Sequence, residues 1–300
     1  MLPLLLLALL AGAPQASPTS PLHLEGTAFG QPFEIDVLGL PAESVRKTLD
    51  AAVAEIREIE RLTDPQRADG ALKPFNDAAG QGARTIPPEL LAMLQRAQSF
   101  CLWTDGAFGP LGGPVAGCDQ LGIDAGKIQA ALLPGSVLDL SGFAAGEAVD
   151  RAVEALKKNG APAGKVRIGG VYRAFGDGPG GKGKGWTVAL PAFKGMSEPA
   201  GPVVLRDRAL AIADAFGGLY LNRRTGQPVQ GVVAAVTVTE LARDAQPLAA
   251  SLLITGPREG QLRIGSLRPR PSVLWLMGNG QGAPLRIFYR WSEVTPRPPA

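Results

Sequence analysis

Helical periodicity fills the first half of the chain and short strand-like runs fill the second, and this segregation limits the fold more than any other feature. Ala42–Leu62 repeats Val45, Leu49, Val53, Ile56, Ile59 and Leu62 at three- and four-residue steps. Arg46, Lys47, Asp50, Glu55, Glu58 and Arg61 take its other faces, as an amphipathic helix requires. Pro88 opens a second helix over Glu89–Trp103, with Leu90, Leu91, Leu94 and Ala97 on one stripe. A third is expected over Gly142–Lys158, stopped by Asn159 and Gly160. Beyond it, Lys165–Phe175, Trp186–Leu190, Val203–Ala213, Val232–Glu240, Ser272–Met277 and Leu285–Trp291 are rich in β-branched or aromatic residues between turn signals. One helix, Leu241–Leu253, interrupts them. Strict alternation would imply a doubly wound parallel sheet. Partial segregation implies α+β, with antiparallel sheets packed against helices. Residues 63–84 and 104–122 read as loops, and no repeat or linker divides the chain. Residues 17–300 are therefore expected to form one domain of at most two closely packed sub-lobes.

Composition closes several functional classes. The formal charge is only +3, from 30 Lys+Arg against 27 Asp+Glu, without the basic clusters that nucleic acid demands. One histidine and two cysteines cannot build a Cys/His zinc site. Any Ser-His-Asp or Cys-His machinery would rest on His23 alone, and His23 is expected on the surface at a poorly ordered chain start. Leu2–Gly12 is a nearly unbroken apolar run ending in small residues, shorter than the ~20 residues of a transmembrane helix. Residues 1–16 fit a secretory signal with cleavage near Ala16, although no Lys or Arg precedes Arg46. Export to the periplasm or beyond is expected, with no lipid-anchoring cysteine and no transmembrane anchor. Cys101 and Cys118 leave two readings open: a disulfide formed in an oxidising compartment, or two separately buried thiols.

Residues 176–183 (GDGPGGKG) imitate a phosphate loop, but Gly183 replaces the hydroxyl that would hold magnesium. Pro179 also opposes the helix that should follow. The segment is read as a flexible hairpin between strands ending at Phe175 and starting at Trp186.

An ordered set of motifs carries more. EGTAF (25–29) lies on the first strand and TDGAFGP (104–110) follows the second helix. DLSGFAAGEAVD (139–150) opens the third helix, followed by IGGVYRAFG (168–176) and NRRTGQP (222–228). In order and approximate spacing they resemble the FAD:protein FMN transferase (ApbE) family, whose patterns are roughly M-G-T, T-x-G-A-F-D-P, D-L-G-G-I-A-K-G-x-A-V-D, L-G-G-D-I-R-A-L-G and H-I-x-D-P-R-T-G-x-P. The resemblance spans about Leu24–Gly256. It implies a periplasmic α+β enzyme that binds FAD, uses Mg²⁺ and moves FMN onto a Thr or Ser of a partner flavoprotein, releasing AMP. Charge neutralisation by the metal is the main demand of such phosphoryl chemistry. The positions it marks for the flavin are Thr27, Ala107, Phe108, Asp139, Gly142 and Thr225. Asp139 precedes a helix whose first N–H groups suit an anion, Phe108 offers a wall to a flat ring, and Gly142 supplies a main-chain oxygen to the metal.

The departures fall on chemistry. The family's metal-binding D-x-x-x-T corresponds to Gln246–Ala250, so an amide replaces a carboxylate and a methyl a hydroxyl. Asp244 lies on a different face of that helix. Ala145 stands for the family's Lys, Gly109 and Val171 for Asp residues, Leu219 for the His, Asn222 and Arg223 for Asp-Pro, and Glu25 for the Met of M-G-T. The expectation is a divergent member that binds FAD or FMN with weak or lost Mg-dependent transfer. The alternatives are a flavin-free scaffold or partner-binding protein, and an active enzyme that recruits Asp244, Asp139 or another carboxylate as a substitute ligand.

Overall fold

The computed structural model describes residues 20–112, 117–217, 220–279 and 281–295; the expected signal segment lies outside them. The chain runs through β1 (Leu22–Ala28), β2 (Gln31–Leu38), α1 (Ala42–Thr63), α2 (Leu72–Asp77), β3 (Arg84–Thr85), α3 (Pro88–Trp103), β4 (Leu121–Asp124), β5 (Gln129–Leu132) and α4 (Ser141–Lys158). It continues as β6 (Ala163–Ile168), β7 (Val171–Phe175), β8 (Trp186–Leu190), β9 (Gly201–Leu205), β10 (Arg208–Asp214), β11 (Leu221–Asn222) and β12 (Gln227–Pro228). It ends with β13 (Val232–Thr239), α5 (Ala242–Ile264), β14 (Ser272–Met277) and β15 (Leu285–Tyr289). The main sheet has the order β1-β2-β6-β7-β10-β13-β14-β15, with every pairing antiparallel.

Strand alternation explains the layers. Ala209, Ala211 and Ala213 of β10 and Val273 and Trp275 of β14 face the helices. Leu210 and Leu274 and Leu276 face the opposite side, under the β8–β9 hairpin with Trp186, Val188 and Leu205. With both faces covered, β13 reads as a continuous apolar run and is buried along nearly its whole length. On the helical side α4 packs between α1 and α5, burying Ile56, Ile59, Val149, Val153 and Leu156 completely, each worth about 1.5–3 kcal/mol. Two polar ties fix α5 to the sheet: Thr237 Oγ1 donates to the Ala245 carbonyl at 2.9 Å and Trp275 Nε1 to that of Leu252 at 3.0 Å.

The α+β expectation holds, and several local expectations change. Lys165–Phe175 is two strands, because Gly169 and Gly170 turn the chain back between β6 and β7. Val203–Ala213 divides at Asp207, whose φ is +53°, into strands of different sheets. Residues 176–183 do not close a hairpin: β7 pairs in the main sheet and β8 pairs with β9. The loop between Thr63 and Arg84 holds α2, where Pro74 falls in the first turn and needs no N–H donor. The helix expected over Leu241–Leu253 continues to Ile264, broken at Gly256 (φ +68°) before Pro257. His23 is no frayed end. It sits within β1, with Nδ1 2.7 Å from Asp36 Oδ1. Cys101 and Cys118 form a disulfide, which settles the open choice between bond and free thiols.

Candidate functional site

The first turn of α4, the loop after α3, the β6–β7 turn and α5 enclose a cleft of about 610 Å³. Asn76 clamps the chain just before it, donating to the Leu138 carbonyl at 3.0 Å and accepting the Leu138 N–H at 2.8 Å. The Asp139 N–H then donates to the Pro110 carbonyl, and the Asp139 carboxylate accepts the Ser141 N–H at 2.9 Å. Asp139 thus holds the helix start and lines the cleft. It follows an isolated bridge between Leu111 and Leu138.

The facing wall is built around buried Thr104. Its Oγ1 lies 2.9 Å from the Phe108 carbonyl oxygen and accepts the Phe108 N–H at 3.1 Å, so the loop folds back on the end of α3. Phe108 stacks on Phe143 at 5.2 Å between centroids. A Cβ at Gly142 would lie 2.8 Å from its ring, so only glycine admits this packing. Gly109 occupies an aspartate position of the family pattern, and a Cβ there would lie 2.8 Å from that of Cys101. The disulfide fills the space beneath this wall.

α5 brings the decisive group. Asp150 of α4 accepts the Ala242 and Arg243 N–H groups at 2.9 and 3.0 Å and lies 3.1 Å from Arg173, which locks the start of α5 onto α4. Gln246, one turn on, donates from Nε2 to the Ser141 carbonyl at 2.9 Å, while its Oε1 accepts the Gly146 N–H at 2.7 Å. Both amide ends are engaged, and the donor faces a carbonyl oxygen, the arrangement opposite to a cation between two oxygens. Ala250 lines the same cleft with a methyl group, and Ser251 is fully buried instead of lining it. Asp244 is directed toward Arg96, at 3.7 Å. Burial pushes its carboxyl above the usual range, with Arg96 opposing. Among the described residues no cluster of three His, Cys, Asp or Glu side chains is placed to hold a metal. These donors do not fit a magnesium ion.

Of the positions marked by sequence, Phe108, Asp139, Gly142, Gln246 and Ala250 converge on the cleft. Ala107 is fully buried behind Phe108 and accepts the Arg223 N–H at 3.0 Å. Thr27 is exposed on β1, opposite Pro32, and Thr225 closes the turn between β11 and β12 through Asn222; neither lines the cleft. The altered positions gather there instead: Gly109, Ala145, Val171 and Arg223 all contribute to its walls. Leu219 lies outside the described residues. The sequence marks Arg223 only as a departure, yet its Nη1 is buried without a hydrogen-bond partner among the described residues. Burial pushes its guanidinium below the usual range, with Asp139 opposing. Adjacent Arg224 pairs with Glu259 at 2.8 Å, and no sequence signal distinguishes which of two neighbouring arginines is paired. Tyr220 also lines the cleft, its hydroxyl pushed upward by burial. A second cavity of about 460 Å³, lined by Phe29, Thr63 and Leu72, shares Gln31, Asp139, Ser141 and Ala145 with the first.

The sequence profile of the ApbE family matches residues 29–270. No curated protein matches the chain. Among solved structures, the Pseudomonas stutzeri flavinyl transferase ApbE in its apo form superimposes with TM-score 0.78 at 20% identity, over 94% of this chain and 98% of that one. The Vibrio cholerae flavin transferase ApbE gives TM-score 0.78 at 19% identity, over 93% and 99%. The ApbE protein of Thermotoga maritima gives 0.77 at 19% identity, over 89% and 97%. At these identities the three establish a shared fold.

Proposed function

This chain belongs to the ApbE family, and from that premise we propose that it is an exported, divergent flavin-transferase relative that binds FAD or FMN in the cleft between α4 and α5 with its Mg-dependent transfer weakened or lost. The observation that carries this reading is the Gln246 carboxamide. It bonds to the Ser141 carbonyl and the Gly146 N–H where the family pattern has a magnesium-binding carboxylate. One neutral side chain thereby joins the two helices without a cation.

Flavin binding is supported by the cleft's dimensions, by the Phe108 wall and by the adjoining second cavity, which together suit an elongated dinucleotide. Loss of transfer is supported by where the departures fall. Ala145, Val171, Gly109 and Ala250 replace charged or hydroxylic residues of the pattern on the walls of one cleft. A partner flavoprotein would be the acceptor if transfer persists. Export rests on residues 1–16 and accords with the disulfide. Among the described residues no helix is long and apolar enough to cross a membrane.

The test restores the missing ligands. With FAD, Mg²⁺ and a flavin-acceptor protein, the native chain is expected to give little AMP and little flavinylated acceptor. Gln246→Asp combined with Ala250→Thr is expected to raise both. Rapid AMP release and acceptor labelling by the native chain would sink the reading.

A further inference from the structure

We propose that Arg223 is the anion-binding residue of the cleft and holds the phosphate of a nucleotide ligand there without a divalent cation. The inference rests on the flavin-nucleotide reading of this cleft and names the group that replaces its metal. Among the described residues that line the space, Asp139 and Arg223 carry the charged side chains. Asp139 has one oxygen committed to the Ser141 N–H. Arg223 is positioned by its own backbone, whose N–H donates to the Ala107 carbonyl beside Phe108, so its side chain enters the cleft from the aromatic wall. Its Nη1 is shut away from water and has no partner among the described residues.

A buried, unpartnered guanidinium nitrogen is costly in a folded chain. Arg223 is not paired as Arg224 is, with Glu259 at 2.8 Å. The planar donors of a guanidinium match phosphate oxygens two at a time. The family pattern has proline at this position, so a cation enters the cleft at the turn that faces the helix from which the carboxylate was lost. The opposite wall carries the first turn of α4 with Ser141 and Gly142, where the positive end of the helix dipole also favours a negatively charged ligand. Positive charge in this cleft is supplied by a side chain instead of a metal.

Titration of the purified chain with FMN and with riboflavin, which lacks only the phosphate, separates this inference from the reading beneath it. FMN is expected to bind roughly 10- to 100-fold more tightly, the range of one charge-assisted contact, with no change when EDTA replaces Mg²⁺. Arg223→Met is expected to bring FMN down to riboflavin while leaving riboflavin affinity and the thermal midpoint unchanged or raised, since a buried nitrogen without a hydrogen-bond partner among the described residues is removed. Arg223→Lys should keep part of the preference. Equal binding of FMN and riboflavin, a preference that survives in Arg223→Met, or one abolished by EDTA overturns the assignment while leaving the flavin reading in place. If neither flavin binds, the flavin reading fails, and inorganic pyrophosphate in EDTA decides the rest. A thermal shift in the native chain that Arg223→Met lacks upholds the anion site, and no shift overturns it.

Discussion

Gln246→Glu changes one nitrogen to an oxygen with no change in shape, and the structure states what should follow. The introduced carboxylate can still accept the Gly146 N–H, now at 2.7 Å. It cannot donate to the Ser141 carbonyl, at 2.9 Å from the native amide nitrogen, and at neutral pH it sets a carboxylate oxygen against that carbonyl. One hydrogen bond worth about 0.5–1.5 kcal/mol is lost, and repulsion between two acceptors adds a comparable amount, for a total of about 1–3 kcal/mol. In a chain of this size that corresponds to a fall in thermal midpoint of roughly 2–10 °C. Protonation of the introduced carboxylate would restore a donor, so the deficit should shrink as pH falls through its titration. Millimolar Mg²⁺ should also recover part of it, because the variant offers a cation a charged carboxylate where the native chain has a neutral amide. Differential scanning fluorimetry at neutral and acid pH, with and without Mg²⁺, reads all three effects. A variant as stable as the native chain at neutral pH, or a native chain that Mg²⁺ stabilises as strongly as the variant, would refute the structural role assigned to the amide.

Other consequences are equally direct. Reducing the Cys101–Cys118 bond, or replacing both cysteines by alanine, should cost about 3 kcal/mol from a loop of 17-residue separation and disturb the Gly109 wall. Thermal melts and FMN affinity with and without reductant check this. Asp150→Ala leaves the Ala242 and Arg243 N–H groups and buried Arg173 without their partner and should destabilise by about 3–5 kcal/mol, visible as a large loss in a urea titration. The hydrogen bond to Asp36 holds the His23 imidazole above its usual value. Its contribution should therefore be fully present below about pH 6.5 and vanish as pH rises through the raised value. Because the ring is half-exposed, His23→Gln should cost less than about 1 kcal/mol in acid and nothing in mild alkali, measured as paired melts across pH.

Much of the fold was legible because burial on one face leaves a period. The spacing of Leu49, Ile56 and Ile59 defined α1 nearly to the residue, and β14 matched its expected bounds. What sequence did not disclose depends on partners distant in the chain. A continuous apolar run such as β13 shows no alternation when both faces are covered, so nothing in it announces the β8–β9 layer. The glycine-rich loop at 176–183 shows where β7 ends and β8 begins, and cannot show that they join different sheets. The site divided in the same way. Phe108, Asp139 and Gly142 were found through the motifs. Thr104 stood in the same motif as Phe108, but its role as the anchor of the Phe108 backbone shows only in the structure, and Asn76, which clamps Leu138 from across 62 residues, acts through contacts that no spacing records. Gln246 looked like a loss from the pattern; its two hydrogen bonds show a substitute contact.

The most direct measurement is equilibrium titration of the purified chain with FAD, first in EDTA and then in Mg²⁺, with AMP followed in parallel. Saturable binding of equal affinity in both conditions, with no AMP released, is the predicted result. Binding that disappears in EDTA and returns in Mg²⁺ with AMP release would contradict it, because the Gln246 amide would then have to yield its place to a cation.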